Sequence, residues 1–243
     1  MSVQGNPFTI HDSSLLLSLD AANRKSYVGS GTSWNDLSGY NNTGTLTNGP
    51  AFTSSFGGGI TLDGTDDYIN LVVPTGFSGT GNFTFEVLFR FNAGDSVGNG
   101  AHIIGTNGRS DGLLAGANGT NTHLTIDGSG NLKIFTFNGG GSSTDYDTGF
   151  DVSVGEVCQV GFLHNSGVSK AGFKNGQLST FESRWSTQAF SYLVIGGSHN
   201  EPGYFTQMTY PKITVFSVKV YNKVLSSPEI LQNYNAVKSR FRL

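Results

Sequence analysis

Three aspartates fall within one short stretch, Leu62 to Asn70, which reads Leu-Asp-Gly-Thr-Asp-Asp-Tyr-Ile-Asn. Asp63, Asp66 and Asp67 are the oxygen ligands that a hard cation such as calcium takes. Aspartates also cap turns through their own side chains, and Asp63-Gly64 supplies the left-handed backbone of a tight corner. Turn aspartates far outnumber ligand aspartates, so capping is the expectation and no metal or other cofactor is assigned. Glu86 is the next carboxylate that could do chemistry. A glycosidase needs two carboxylates at a defined spacing; the chain has five glutamates, and Glu86 has no acidic partner nearby in sequence. Glu86 is therefore read as an exposed strand residue or as salt-paired with Arg90, and no catalytic residue is named. A sugar site asks for aromatic rings beside amides and carboxylates. Trp185, Tyr204 and Tyr40, in polar segments near Asn200, Asn41 and Asp36, meet that description. So does Tyr146, between Asp145 and Asp147 in the glycine-rich stretch 138–149, which reads as a flexible loop. The competing reading is that Trp34 and Trp185 are both buried anchors.

Composition limits what else the chain can be. The 35 glycines among 243 residues, with only 13% charged residues, point to many short strands joined by turns. A net charge of −3 leaves no basic footprint for nucleic acid or an anionic membrane. The glycine pairs join strands to strands, not a strand to a helix, so no phosphate cradle is present. Cys158, the one cysteine, sits in an apolar run and reads as a packed thiol. Residues 1–14 form an arm of mixed polarity, and Leu15-Leu16-Leu17 is too short for a secretory or membrane signal. Such an arm orders against a partner.

The elements that must position any site follow from period and punctuation. Phe83 to Phe91 alternates, with Phe83, Phe85, Val87, Phe89 and Phe91 on one face and Thr84, Glu86, Leu88 and Arg90 on the other. Lys212 to Tyr221 alternates too, setting Ile213, Val215, Ser217, Lys219 and Tyr221 against Thr214, Phe216, Val218 and Val220. Residues 101–137 read as a meander, and Asn175-Gly176 as a hairpin turn. One helix is expected over about 227–238. Ser226 and Glu229 make its capping box, Pro228 lies in its first turn, and Ile230, Leu231, Tyr234 and Val237 form its apolar stripe.

Several stretches together resemble the concanavalin A-like lectin/glucanase superfamily. They are Leu15 to Asp20, Trp34-Asn35-Asp36-Leu37-Ser38-Gly39, Leu62 to Ile69, Phe173-Lys174-Asn175-Gly176, Val194-Ile195-Gly196-Gly197 and Val220 to Ser226. The version is the laminin-G-like one found in tailed-phage virion proteins, whose ends the segment Glu229 to Lys238 is similar to. The resemblance implies an all-β jelly-roll sandwich of two antiparallel sheets with a short C-terminal helix, as one domain over 15–243. It implies a non-enzymatic virion structural protein, a capsid or tail decoration or fibre component. Its expected partners are other virion subunits, copies of itself, and weakly a cell-surface glycan. A carbohydrate-binding lectin module is the alternative; a glycoside hydrolase is disfavoured, because the glucanase motif of two glutamates flanking an aspartate is absent. Many such relatives bind calcium, but Phe216 stands where some of them carry an aspartate.

Overall fold

The computed structural model describes residues 9–72, 74–77, 81–92, 101–107, 120–138, 143–183, 192–197 and 210–243. Its strands in chain order begin with β1 (Leu15–Asp20), β2 (Ser33–Trp34), β3 (Gly44–Thr47), β4 (Ala51–Thr53), β5 (Gly59–Asp63), β6 (Tyr68–Val72), β7 (Phe83–Phe91) and β8 (Ala101–Asn107). They continue with β9 (Thr120–Ile126), β10 (Asn131–Asn138), β11 (Ser143–Asp151), β12 (Val157–Asn165), β13 (Ser169–Lys174), β14 (Gln177–Leu178), β15 (Tyr192–Ile195) and β16 (Lys212–Tyr221). One α-helix among the described residues, α1 (Ser227–Phe241), closes the chain. The strands form two antiparallel eight-stranded sheets. The first runs β14-β13-β12-β7-β16-β5-β4, with β1 also on β16; the second runs β11-β10-β9-β8-β15-β6-β3-β2. This is the jelly-roll sandwich with a C-terminal helix that the sequence implied.

The Leu62 to Asn70 stretch is the corner at which the chain leaves one sheet for the other, since β5 belongs to the first and β6 to the second. Leu62 and Ile69, on either side of it, both enter the core between the sheets. The corner is tied by its own aspartates: Asp63 N donates to Asp67 Oδ2 at 3.0 Å, and Thr65 N donates to Asp63 Oδ1 at 2.7 Å.

Phe83, Phe85, Val87, Phe89 and Phe91 of β7 all join that core, as alternation requires. The other face of β7 is buried as well, because α1 lies over it: Thr84, Glu86 and Leu88 are each 2% exposed or less. Glu86 is thus neither exposed nor paired with Arg90. Its Oε1 meets Lys219 Nζ at 2.5 Å, and its Oε2 accepts from Asn233 Nδ2 of the helix at 2.8 Å. The same amide donates to Tyr221 Oη at 3.0 Å. Burial, and then the Glu86 charge, hold the Tyr221 hydroxyl far above the ordinary phenol range.

Strict alternation fails in β16 for a local reason. A bulge between Val215 and Ser217 opposes two residues to one on β7. Ile213, Val215, Val218 and Val220 therefore face the core, while Phe216 joins Leu88, Val157 and Phe241 beneath the helix. Lys219 and Tyr221 are carried to the helix side along with it.

The helix starts where the capping box placed it, with Ser226 N and Oγ donating to Glu229 Oε2 at 2.8 and 2.9 Å. It runs to Phe241, three residues beyond the expected end. Its buried seam is Ile230, Asn233 and Phe241. Leu231, expected in the apolar stripe, is exposed. The described part of the N-terminal arm docks on this helix rather than waiting for a partner: Ile10 N donates to Asn233 Oδ1 at 2.7 Å, and Tyr221 Oη donates to Ile10 O at 3.2 Å. Cys158 is buried in the core, where desolvation raises its thiol pKa far above the usual range.

Candidate functional site

The residues expected to touch sugar are only partly brought together. Asp36, Tyr40 and Asn41 share one loop. Asp36 organises it: Oδ1 accepts from the backbone N of Ser18 at 2.8 Å and of Ser38 at 2.9 Å, and Oδ2 accepts from Ser38 Oγ at 2.6 Å and Asn42 N at 3.0 Å. Both oxygens are committed to the backbone, so its role is structural. Asn41 is exposed at φ 61°, a turn position. Tyr40 is exposed, with its hydroxyl donating to Ser13 O at 3.2 Å. Tyr146 is not in a flexible loop but within β11. There it faces the core, and its hydroxyl meets Thr180 O at 2.5 Å and Thr180 Oγ1 at 2.8 Å. It is an inter-sheet anchor. Trp185, Asn200 and Tyr204 lie outside the described residues, as does the Gly112–Ala115 strand expected from the sequence.

Asp63, Asp66 and Asp67 do converge, with ligand-capable oxygens within 4.8 Å of one another. Two of the three already accept from backbone donors of the corner, which is the capping role. Burial raises the pKa of Asp67, whereas the Thr65 amide lowers that of Asp63.

A different constellation stands on the outer face of the second sheet. In β9, Leu124 and Ile126 point into the core, so His123 and Thr125 point outward. In β8, a bulge between His102 and Ile104 turns Ile103 and Ile104 inward and leaves His102 beside His123, with ring centroids 4.7 Å apart. The pairing register then sets Asn70, Val194, Gly105, His123 and Phe135 side by side across β6, β15, β8, β9 and β10. Adjacent strands are spaced by about 4.8 Å, so Asn70 and His123 stand about 14 Å apart. Phe135 flanks His123 with a 6.0 Å centroid separation.

Among the described residues, His102 Nδ1, His123 Nδ1 and Asn70 Oδ1 are buried with no hydrogen-bond partner. Each such group costs about 1–3 kcal/mol unless something satisfies it. Asn70 and His102 are only half-buried, so a side-chain rotation would bring these shielded atoms to an external hydroxyl, which both donates and accepts.

Burial also sets the charge state here. Desolvation lowers the His102 pKa from 6.5 to about 4 and also holds His123 well below the usual imidazole range, with His102 adding to the latter effect. The unfolded chain therefore takes up protons near pH 6.5 that the folded chain refuses. The stability associated with neutral His102 is complete above pH 6.5 and is lost as pH falls toward 4. A shift of this size corresponds to about 3 kcal/mol. Urea midpoints measured from pH 7.5 to 4 should fall accordingly, and His102→Gln should flatten the slope.

Sequence reading missed these histidines because neither strand shows alone that they meet. The usable signal was that both fall on outward positions of their strands. The bulge that aligns them is set by pairing between strands.

No protein-family model matches the sequence, and no curated protein matches it. Solved structures do resemble the fold. The sialidase of Trypanosoma rangeli, in complex with 2,3-difluoro-KDN, superposes with a TM-score of 0.67 at 14% identity over 94% of this chain and 33% of that one. The binding domain of Paraclostridial Mosquitocidal Protein 1 gives 0.66 at 14% identity, covering 92% of this chain and 52% of that one. Domain 4 of AbnA, a GH43 extracellular arabinanase of Geobacillus stearothermophilus solved with arabinotriose, gives 0.65 at 14% identity, covering 90% of this chain and 98% of that domain. The chain spans about a third of the sialidase and nearly the whole of the arabinanase domain. At this identity the likeness is one of fold: the chain is a jelly-roll β-sandwich of the kind found in these carbohydrate-active and binding proteins.

Proposed function

We propose that this chain is a non-catalytic carbohydrate-binding module that holds a glycan against the outer face of its second sheet. The observation that carries the reading is the row of buried, unpartnered polar atoms at Asn70, His102 and His123, with the Phe135 ring at one end. Glycan hydroxyls would supply the missing hydrogen bonds, and the C–H face of a sugar suits an aromatic ring. A ligand touching both ends of the row is longer than a monosaccharide. The arabinotriose complex of the AbnA domain supports this choice of ligand class, since that domain covers nearly the same fold.

Binding without turnover is the expected behaviour. Asp145 and Asp147 are exposed on β11 at the sheet edge, with Asp147 Oδ1 turned back to accept from Gly149 N at 2.8 Å. That is no enclosed acid and base. On a glycan microarray, the protein should retain neutral oligosaccharides, and His123→Ala and Asn70→Ala should each weaken retention at least about 10-fold, the effect of about 1.4 kcal/mol. Equal retention by both variants would refute the site. The finer setting, adhesion on the surface of a phage particle in contact with other virion subunits and with copies of itself, rests on the sequence landmarks from Leu15 to Lys238. Mass spectrometry of purified particles tests it.

A further inference from the structure

A cleft of about 660 Å³ opens on the opposite side of the sandwich, between α1, the β13–β14 hairpin and the end of β11. This lies within the range of about 300–1,000 Å³ typical of small-molecule sites. Its walls bring Phe150 and Asp151 together with Asn175 and Gln177 of the hairpin and with Tyr234 and Lys238 of the helix. The placement is fixed by the hairpin turn. Asn175 and Gly176 take φ of 48° and 81°, the paired left-handed conformation of a two-residue turn. A Cβ on Gly176 would come within 2.9 Å of Leu231 Cδ1, so the helix packs closely over this turn. Asn175 is pinned at both ends, its N donating to Gln159 O and its Oδ1 accepting from Gln159 N, each at 2.9 Å. Gln159 itself is wholly buried on the helix side of β12, and both of its side-chain amide atoms lack a partner.

We propose that this cleft is a second carbohydrate site, taking a short neutral oligosaccharide. Its charges argue for a neutral ligand. Lys174 is already matched by Glu156 at 2.6 Å and by the carbonyl of Asp151, which leaves one cation and one anion, Lys238 and Asp151, as the other charged residues of the lining. A carboxylate or phosphate ligand would need donors alone and would meet Asp151. Sugar hydroxyls each donate and accept; the Gln177 amide does the same, and Asn175, whose Oδ1 is held by Gln159 N, can donate through Nδ2. Phe150 and Tyr234 supply apolar surface for the ring C–H groups, although the Lys238 ammonium stands 5.8 Å from the Tyr234 centroid and covers part of one face. The proposal stands on its own observations and does not require the His123 face to be occupied.

Amide chemical-shift titration of the whole chain with arabinotriose, xylotriose and trigalacturonic acid separates the two sites, because each has its own reporters. At least one neutral triose should move the signals of residues 149–151, 175–177 and 231–238, and trigalacturonic acid should not. Tyr234→Ala should weaken that response at least 10-fold. Gln177→Ala, at an exposed position where folding is not at stake, should weaken it about 3-fold, and His123→Ala should leave it intact. Cleft signals unmoved by either neutral triose, a preference for the acidic probe, or full binding by both cleft variants would overturn the proposal. Loss of response at residues 102–105 and 123–125 alone would instead count against the first site.

Discussion

Glu86→Ala should lower the free energy of unfolding by about 3–5 kcal/mol, the usual cost of stranding one member of a buried ion pair. Lys219 would be left at 6% exposure with no carboxylate opposite it, and Asn233 would lose the acceptor it holds from the helix. The effect should spread, because Asn233 also binds Tyr221 and the backbone of Ile10. Replacing the pair together, Glu86→Met with Lys219→Met, should recover most of that loss, since the desolvation of both charges disappears along with their attraction, leaving a deficit of about 1–3 kcal/mol from the Asn233 amide without its acceptor. A double-mutant cycle by urea unfolding measures this. Additive losses in the cycle would mean that the two charges are not coupled as described.

Gly161→Ala should be worse still. A Cβ on Gly161 would lie 2.0 Å from the carbonyl oxygen of Phe85 on β7 and 2.3 Å from Cζ of Phe173 on β13. The first contact is with backbone, which cannot move without breaking the β7–β12 ladder. A destabilisation beyond about 4 kcal/mol, or failure to fold, is expected. Gly167→Ala offers the contrast: its φ is 70° but nothing lies within 4 Å of the added carbon, so only the left-handed backbone matters, at about 1–2 kcal/mol. Thermal unfolding of the two variants side by side decides. A Gly161→Ala protein with an unaltered midpoint would show the spacing of β7 and β12 to be wrong.

Glu86 and Gly161 also mark what a sequence can and cannot disclose. The alternation of Phe83 to Phe91 correctly gave the core face of β7. It could not reveal that the opposite face is roofed by a helix more than 130 residues later, which turns an apparently open carboxylate into a buried one. The hairpin at Asn175-Gly176 and the capping box at Ser226 and Glu229 were legible because their chemistry is local. The bulges at Ile103 and Phe216 were not, because each exists only against its partner strand, and each moves the residues beyond it to a new face. The site suffered most from this. Tyr146 looked like an exposed platform because aspartates flank it, yet on a strand those aspartates face one way and the tyrosine the other. His102, His123 and Asn70 come from three strands of the second sheet, and only the register unites them.

The most direct test of the account is calorimetric titration of the intact protein with arabinotriose and xylotriose, with the released reducing ends followed in the same samples. Saturable heat with at least one neutral triose, abolished at the first site by His123→Ala and unaccompanied by any new reducing ends, is the expected result. No heat with either sugar, or steady release of reducing ends, would contradict the claim that this fold works by holding glycans rather than cutting them.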